Sequence, residues 1–210
     1  IWTDEKIRLF VQEKSKRDLE VLDKLIGAKK SDFFRVFVLH QLGGVYLDAD
    51  VECVRSLDPY LAEHNAPCMF TEEPDLHKVI LYGMQRYVLM PCNFFMAGWP
   101  NSASFELLLN ELRRIAADDT VLRSADATDI TGPRLIGRMI DKKRDCHVAP
   151  ASLFAPAVAW NNPAIVKACN SPNTPAIHKL CSDAKNTTLH MQESFTIHHW
   201  AHSWLGDKYM

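Results

Sequence analysis

The chain has 210 residues, of which 47% are hydrophobic and 24% charged, with a formal net charge of −2. That is enough for one globular domain with its own core, and the near-neutral balance excludes a protein built to hold nucleic acid or another polyanion. No apolar run is long enough to span a bilayer, and no charged-then-apolar leader opens the sequence.

Residues 1–3 read as the end of a buried strand that runs into a helix over 3–26. Thr3 would cap that helix, Gly27 would end it, and Ile7, Phe10, Val11, Leu22, Leu25 and Ile26 fall at helical spacing. A second helix is expected over 31–42, capped by Ser31 or Asp32, buried through Phe33, Phe34, Phe37, Val38 and Leu42, and stopped by Gly43-Gly44. A short apolar strand, Val45-Tyr46-Leu47, follows and ends in Asp48-Ala49-Asp50. Strands are predicted over 51–54 and 68–70, with a turn near Asp58-Pro59 between them. Residues 87–97 carry strand-like stretches interrupted by Pro91. A helix is expected from Ser102 or Ser104 to Ala117, a loop over 118–131, and a helix over 132–140 with Pro133 in its first turn. A strand over 147–149, an irregular Pro- and Asn-rich stretch over 155–194 and a short apolar segment over 195–200 complete the chain. The alternation of strands and helices predicts an α/β domain spanning 1–210.

Asp48 and Asp50 carry the chemistry. Past a strand end the alternation of side chains breaks down, so two carboxylates one residue apart can converge on one point. Their mutual repulsion is relieved by a cation. Hard oxygen ligands suit Mg²⁺ or Mn²⁺, ions that also hold substrate phosphates, and the carboxyl ends of strands are where open α/β sheets bind nucleotides. Two solvated turn aspartates are the plainer alternative. Of the nine histidines, four crowd into the last twenty-one residues. The six cysteines include no C-x-x-C pair, which argues against zinc. Their even number fits disulfides in an oxidising compartment and equally fits buried thiols. Asn186-Thr187-Thr188 is a glycosylation acceptor in a secretory protein.

The run Ser31-Asp32-Phe33-Phe34-Arg35, then Gly43-Gly44-Val45-Tyr46-Leu47-Asp48-Ala49-Asp50-Val51-Glu52-Cys53, then Leu57-Asp58-Pro59 resembles glycosyltransferase family 32. Trp2-Thr3-Asp4-Glu5, Asn93-Phe94-Phe95-Met96-Ala97, Thr131-Gly132-Pro133 and the closing Ile197-His198-His199-Trp200 stretch resemble further segments of that family in the same order. The opening and the ending look most like its mannosyltransferase branch, which includes the inositolphosphoceramide mannosyltransferases. The resemblance implies a GT-A fold, a nucleotide-sugar donor, a divalent metal and retention of anomeric configuration. Family members carry a strand and helix ahead of this point, so the first N-terminal strand–helix unit is expected to be missing, and with it much of the base-binding pocket.

Carried over by position, Asp32 and Arg35 would hold donor-sugar hydroxyls and Tyr46 would line the donor pocket. Asp48 would touch ribose or sugar, and the metal through water. Asp50 would ligate the metal, with His198 as the remaining protein ligand or a diphosphate contact. Ser203 and Trp204 would close over the diphosphate. Asn93 and Asp129 are candidates for holding the acceptor, with Glu72, Glu73 and Asp75 behind them. Without the family match, Asp32 and Arg35 would read as a surface i,i+3 ion pair, Trp200 and Trp204 as core, and His190 and His202 as structural. The resemblance further implies GDP-mannose as donor, a UDP-hexose next, a glycan or glycolipid acceptor, Mn²⁺ or Mg²⁺ as cofactor, and a Golgi or ER lumenal address through an upstream anchor, with a bacterial cytoplasmic enzyme as the alternative. Two rival functions are a sugar-nucleotide-binding relic without activity and a haloacid-dehalogenase-type phosphohydrolase. The latter needs a second acidic pair on strand ends, and the one adjacent pair of aspartates, Asp118-Asp119, follows a helix.

Overall fold

The computed structural model describes residues 1–85, 88–124, 126–140, 145–189 and 191–201. Two helices, α1 (Asp4–Lys14) and α2 (Lys16–Lys24), take the place of the single helix expected over 3–26. Ser15 divides them: its extended backbone (φ −159°, ψ 113°) breaks the first helix, and its side chain caps the second by accepting from the Asp18 N–H. Residues 1–3 form no strand; Ile1 is exposed and Thr3 caps α1.

Helix α3 (Ala28–Leu42) begins three residues before the expected cap, with Gly27 (φ 55°) in front of it. Asp32 is therefore not a cap but an interior residue of the helix. Every residue from 32 to 39 is buried, because α3 threads the interior instead of lying on it. A stretch buried all round has no solvated face on which to park a charge, so its two charged side chains, Asp32 and Arg35, must find partners inside. Gly43 (φ 66°, ψ −161°) ends α3 as expected. A side chain there would strike Pro100, whose Cδ lies 2.6 Å from the position of a Cβ.

Strand β1 (Gly44–Leu47) leads into β2 (Val51–Cys53), helix α4 (Asp58–Glu63), β3 (Cys68–Glu72) and α5 (Asp75–Ile80). The stretch expected to be interrupted at Pro91 is one strand, β4 (Pro91–Gly98). Proline is its first residue, where its missing N–H costs nothing. Helix α6 (Ala103–Ala116) follows, and the expected loop over 118–131 contains α7 (Asp119–Ser124) and α8 (Ala127–Ile130). Asp118 caps α7 by accepting from the Thr120 and Val121 N–H groups. It lies at no strand end, so the Asp118-Asp119 pair gives a phosphohydrolase no support. Helix α9 (Pro133–Ile140) and β5 (Cys146–Ala149) match expectation.

After the short α10 (Ala151–Phe154), the stretch expected to be irregular holds α11 (Pro163–Asn170) and α12 (Pro175–Leu189). Each opens on a proline in its first turn behind a capping side chain, Asn162 and Thr174 respectively. Strand β6 (Thr196–His198) closes the described chain.

The main sheet has the order β1-β4-β3-β5, antiparallel except for β3 with β5. Its central strands β3 and β4 are buried on both faces, so successive side chains enter two cores. Phe70 and Met96 join α3 and α6 through Phe37, Phe105 and Leu109. Met69, Phe95 and Ala97 meet Phe154, Ile165 and Leu180 on the other face. A separate ribbon pairs β2 antiparallel with β6. The fold is thus mixed α/β with a mixed sheet.

Four cysteines are paired and two are free. Cys68–Cys146 bridges neighbouring positions of β3 and β5, Cys169–Cys181 ties α11 to α12, and Cys53 and Cys92 are thiols. Cys68–Cys146 closes a 78-residue separation and Cys169–Cys181 one of 12. By loop-closure entropy the first therefore contributes more. Replacing Cys68 and Cys146 together by serine should cost about 2–5 kcal/mol, and replacing the second pair less. Urea unfolding of both variants checks the order.

Candidate functional site

A cavity of about 660 Å³ lies over the start of β4, between α3 and the end of β1. Its wall includes Asp32, Arg35, Tyr46, Asp48, Asp50, Asn93 and His198, so seven of the residues singled out from the sequence meet in one place. Strand β1 explains part of this. Tyr46 and Asp48 are two apart and face the same way, and the Tyr46 hydroxyl donates to Asp48 Oδ1 at 3.0 Å. Burial raises the Tyr46 phenol above its ordinary pKa, so it stays a donor.

Asp32 and Arg35 come from one face of α3 and are both buried, 6% and 7% exposed, which rules out the surface ion pair. Arg35 Nη2 lies 3.3 Å from Asp48 Oδ1 and 3.7 Å from Asp32 Oδ1, and its guanidinium sits over the Tyr46 ring at 5.2 Å. Arg35 Nη1 donates to the Asn93 carbonyl at 2.8 Å. The Asp32 carboxylate accepts from Asn93 Nδ2 and Thr131 Oγ1, both at 2.7 Å. Burial pushes the Asp32 carboxyl up, against the pull of Arg35 and these two donors. Arg35 goes above its usual value because Asp48 and Asp32 outweigh its own burial. Gly132 lets this packing close: a Cβ there would stand 3.2 Å from the Ala127 carbonyl and 3.4 Å from Asp32 Oδ2.

Asp50 and His198 are 148 positions apart, and the β2–β6 ribbon joins them. Its register sets Val51 opposite His198, and His198 Nε2 lies 3.3 Å from Asp50 Oδ1. A slip of one residue would present His199 instead. His199 points outward, to Glu52 at 3.1 Å. Asp50 Oδ2 accepts from the Ala201 N–H at 2.9 Å. The His198 ring is held between Phe94, stacked at 4.2 Å, and Trp200 at 4.1 Å. Trp200 has φ 53°, rare for a bulky residue, and its indole donates to the Ala157 carbonyl at 2.8 Å.

One ligand atom from each of Asp48, Asp50 and His198 lies within 4.8 Å of the other two. His198 Nδ1 is buried and has no hydrogen-bond partner. Two carboxylates and one imidazole, the last with an unsatisfied ring nitrogen, fit a divalent cation of the Mn²⁺ or Mg²⁺ kind. The hydrogen bond with His198 and the one from Ala201, working against burial, hold the Asp50 carboxyl at about 2. A lowered carboxylate pKa stabilises the fold above its unfolded value and loses that contribution as pH falls through the folded one. In metal-free protein, Asp50→Asn should therefore flatten the acid limb of stability between about pH 4 and pH 2, as read from urea midpoints.

Asp129 is not brought into the cavity wall. Arg134 holds its carboxylate at 2.8 Å, and Arg138 bonds its carbonyl. Glu72 and Asp75 both pair with Lys78, while Glu73 does line the cavity. Ser203 and Trp204, like His190 and His202, lie outside the described residues. Thr131, Phe94 and Trp200 support the site without having been singled out for it. All three sat in motifs noted for other reasons: Thr131-Gly132-Pro133, Asn93-Phe94-Phe95 and the closing Ile197-His198-His199-Trp200 stretch.

Comparison with known proteins fits this geometry. Residues 1–67 match the model of the glycosyltransferase sugar-binding region containing a DXD motif. The chain is 40% identical over 62 residues to inositol phosphoceramide mannosyltransferase 3 of Schizosaccharomyces pombe, a match covering 29% of this chain and 17% of that protein. Inositol phosphoceramide mannosyltransferase 1 of the same yeast is 38% identical over 64 residues (30% and 20%), and a mannosyl phosphorylinositol ceramide synthase of Saccharomyces cerevisiae 38% over 63 (30% and 16%). The matched segment thus spans a fifth or less of these relatives. No solved structure matches the chain. Residues 1–67, which supply Asp32, Arg35, Tyr46, Asp48 and Asp50 to the cavity, are thus the part of the chain that is similar to a glycosyltransferase sugar-binding region containing a DXD motif.

Proposed function

We propose that residues 1–210 form one catalytic unit of GT-A type. It would be a metal-dependent retaining glycosyltransferase that moves a hexose from a nucleotide-diphospho-sugar to a glycan or glycolipid. The observation that carries this reading is the convergence of Asp48, Asp50 and His198 beside the buried Asp32–Arg35 pair in one cavity. Asp50, Asp48 and His198 would hold Mn²⁺ or Mg²⁺, which when bound supplies the charge that neutralises a departing diphosphate. The chain's own residues do the rest. The Ala201 N–H and His198 fix both oxygens of Asp50, so its orientation is set before anything binds. Arg35 and Asp48, already paired, offer a donor and an acceptor to sugar hydroxyls. Asn93 and Thr131 keep Asp32 from turning away. The floor at Phe94 and the Trp200 ring exclude water from the imidazole.

The names of the yeast relatives favour mannose, hence GDP-mannose ahead of a UDP-hexose, and an inositol-containing glycolipid as acceptor. Two disulfides and the exposed sequon at Asn186 support a Golgi or ER lumenal address. Among the described residues no helix is long and apolar enough to cross a membrane. The test is incubation with GDP-mannose, UDP-galactose, UDP-glucose and UDP-N-acetylglucosamine, with and without Mn²⁺, reading donor binding and nucleotide release. Metal-dependent release, greatest with GDP-mannose, is the expected result. Binding without turnover would mark a relic, and neither binding nor release with any donor would overturn the reading.

A further inference from the structure

The cavity has a second polar wall that the donor site does not use. Strand β4 serves as a ruler along its floor. Phe94 lies under the metal histidine, Asn93 beside Asp32 and Arg35, and Cys92 beside Glu73. Two residues of strand span about 6–7 Å, roughly the width of a hexose ring, so Glu73 stands one ring away from the His198 end.

Glu73 is 2% exposed, yet it lines the cavity together with Cys92 and Tyr82. Burying a carboxylate is expensive unless it is paired or has something to bind. No lysine or arginine among the described residues pairs with Glu73. The nearby Lys78 is taken by Glu72 and Asp75. Glu73 is instead held by two weaker donors. His77 Nδ1 lies 2.7 Å from Oε1, and the Cys92 thiol donates to Oε2. The Ala159 N–H donates to His77 Nε2 at 2.9 Å, so the ring proton sits on Nδ1 and points at Glu73. Burial and the Glu73 charge push the Cys92 thiol well up, which keeps it a donor. A carboxylate has about four acceptor positions. Two are filled from the protein side, which leaves acceptor capacity for the cavity.

We propose that Glu73, with Tyr82 on the same cavity wall, is the subsite that holds a hydroxyl of the acceptor, a sugar or cyclitol ring, while another hydroxyl of that ring reacts. This rests on the glycosyltransferase reading above. The acceptor is favoured over the donor because Asp32, Arg35 and Asp48 already serve donor hydroxyls one residue further along β4. The Glu73 end also adjoins a second hollow of about 480 Å³, lined by Met84, Val88, Leu89 and Met90, with Pro133 common to both. That gives an acceptor's remaining bulk a place to lie. Trp200 ties the two ends together, packing on His198 at 4.1 Å and on His77 at 4.4 Å.

The test measures binding of myo-inositol and methyl α-D-mannopyranoside to the 210-residue protein by saturation-transfer NMR, with and without GDP and Mn²⁺. Donor affinity is measured separately by calorimetry with GDP-mannose. Glu73→Gln is expected to weaken binding of one of the two polyols about tenfold or more, since a hydrogen bond to a charged acceptor is replaced by one to a neutral amide. GDP-mannose affinity should stay within about twofold. Tyr82→Phe, which keeps the ring over Arg134, should weaken the same polyol about threefold. Thermal midpoints of both variants show whether the fold has survived. Should Glu73→Gln unfold, Tyr82→Phe alone decides. Equal loss of donor and polyol affinity overturns the proposal, as does unchanged polyol binding in the variants. Failure of both polyols to bind the parent protein overturns it as well. Failure of the parent reading is distinct: no donor then binds or turns over, whatever the polyols do.

Discussion

Asp50→Ala is expected to lower Mn²⁺ affinity by more than about 100-fold and to abolish metal-dependent nucleotide release. Residues that merely orient a metal ligand are worth 10- to 100-fold (an order-of-magnitude range), and Asp50 is placed as a ligand itself. Its two oxygens are engaged by His198 and the Ala201 N–H, so its orientation is set. The fold should survive the change. Asp50 sits beyond the end of β1, its backbone carbonyl still accepts from the His199 N–H at 3.0 Å, and the β2–β6 ladder does not use its side chain. What is lost in metal-free protein at neutral pH is the contribution of the held-down carboxylate, about 1–2 kcal/mol after discounting for its partial exposure. Manganese titration followed by paramagnetic resonance gives the affinity, and urea unfolding gives the stability. Retained Mn²⁺ affinity in Asp50→Ala would remove the metal site assigned here. His198→Ala should also weaken the metal, though less cleanly, because its ring is packed between Phe94 and Trp200.

Arg35→Ala is the change expected to cost most stability, about 3–5 kcal/mol, the range for breaking a buried ion pair from one side. The reason is what it leaves behind. Asp32 is buried and Asp48 partly so, and without the guanidinium two carboxylates share a low-dielectric pocket with no cation between them. The Asn93 carbonyl loses its donor as well. Arg35→Lys should recover only part of the loss, since an ammonium cannot reach Asp48, Asp32 and the Asn93 carbonyl in one plane. The mechanism makes a sharper prediction. If the cost comes from the stranded charge, Arg35→Met combined with Asp32→Asn should be more stable than Arg35→Met alone. A double variant no better than the single one would mean that lost packing, and not electrostatics, dominates. Donor binding should fail in every one of these variants.

The motif around Asp48 and Asp50 was legible because its signals are local. An apolar strand, a Gly-Gly stop and two carboxylates one residue apart fall within nine positions. The Asp32–Arg35 pair was legible in its spacing but not in its burial, and a helix beginning at Ser31 would have made Asp32 a cap. The helix begins at Ala28 and runs through the core, a fact set by the sheet and α6 around it. Composition misread 155–194. Pro and Asn there are not markers of irregular chain but cap-and-first-turn pairs, Asn162-Pro163 and Thr174-Pro175, that start α11 and α12. Ser15 misled in the opposite sense: helical spacing passes smoothly across it, while its side chain competes for the Asp18 N–H and breaks the helix.

By itself, then, the sequence determined the kind of chemistry: a strand end carrying two acids, a helix carrying an acid and a base three apart, and a histidine-rich ending. Those are properties of short stretches: the strand pattern marks the two acids, and the resemblance to a known family singled out Asp32, Arg35 and His198. The family resemblance pointed to His198, and the tertiary structure supplies the reason: strand pairing has a period of two, and the β2–β6 register turns His198 inward and His199 outward. The tertiary structure alone paired Cys68 with Cys146 and Cys169 with Cys181, and it alone separated Glu73 from Glu72 and Asp75. Those three acids lie within four residues of one another. The buried Lys78 claims two of them, which stay partly exposed, and the third is turned inward against β4, a difference in burial that no local pattern encodes.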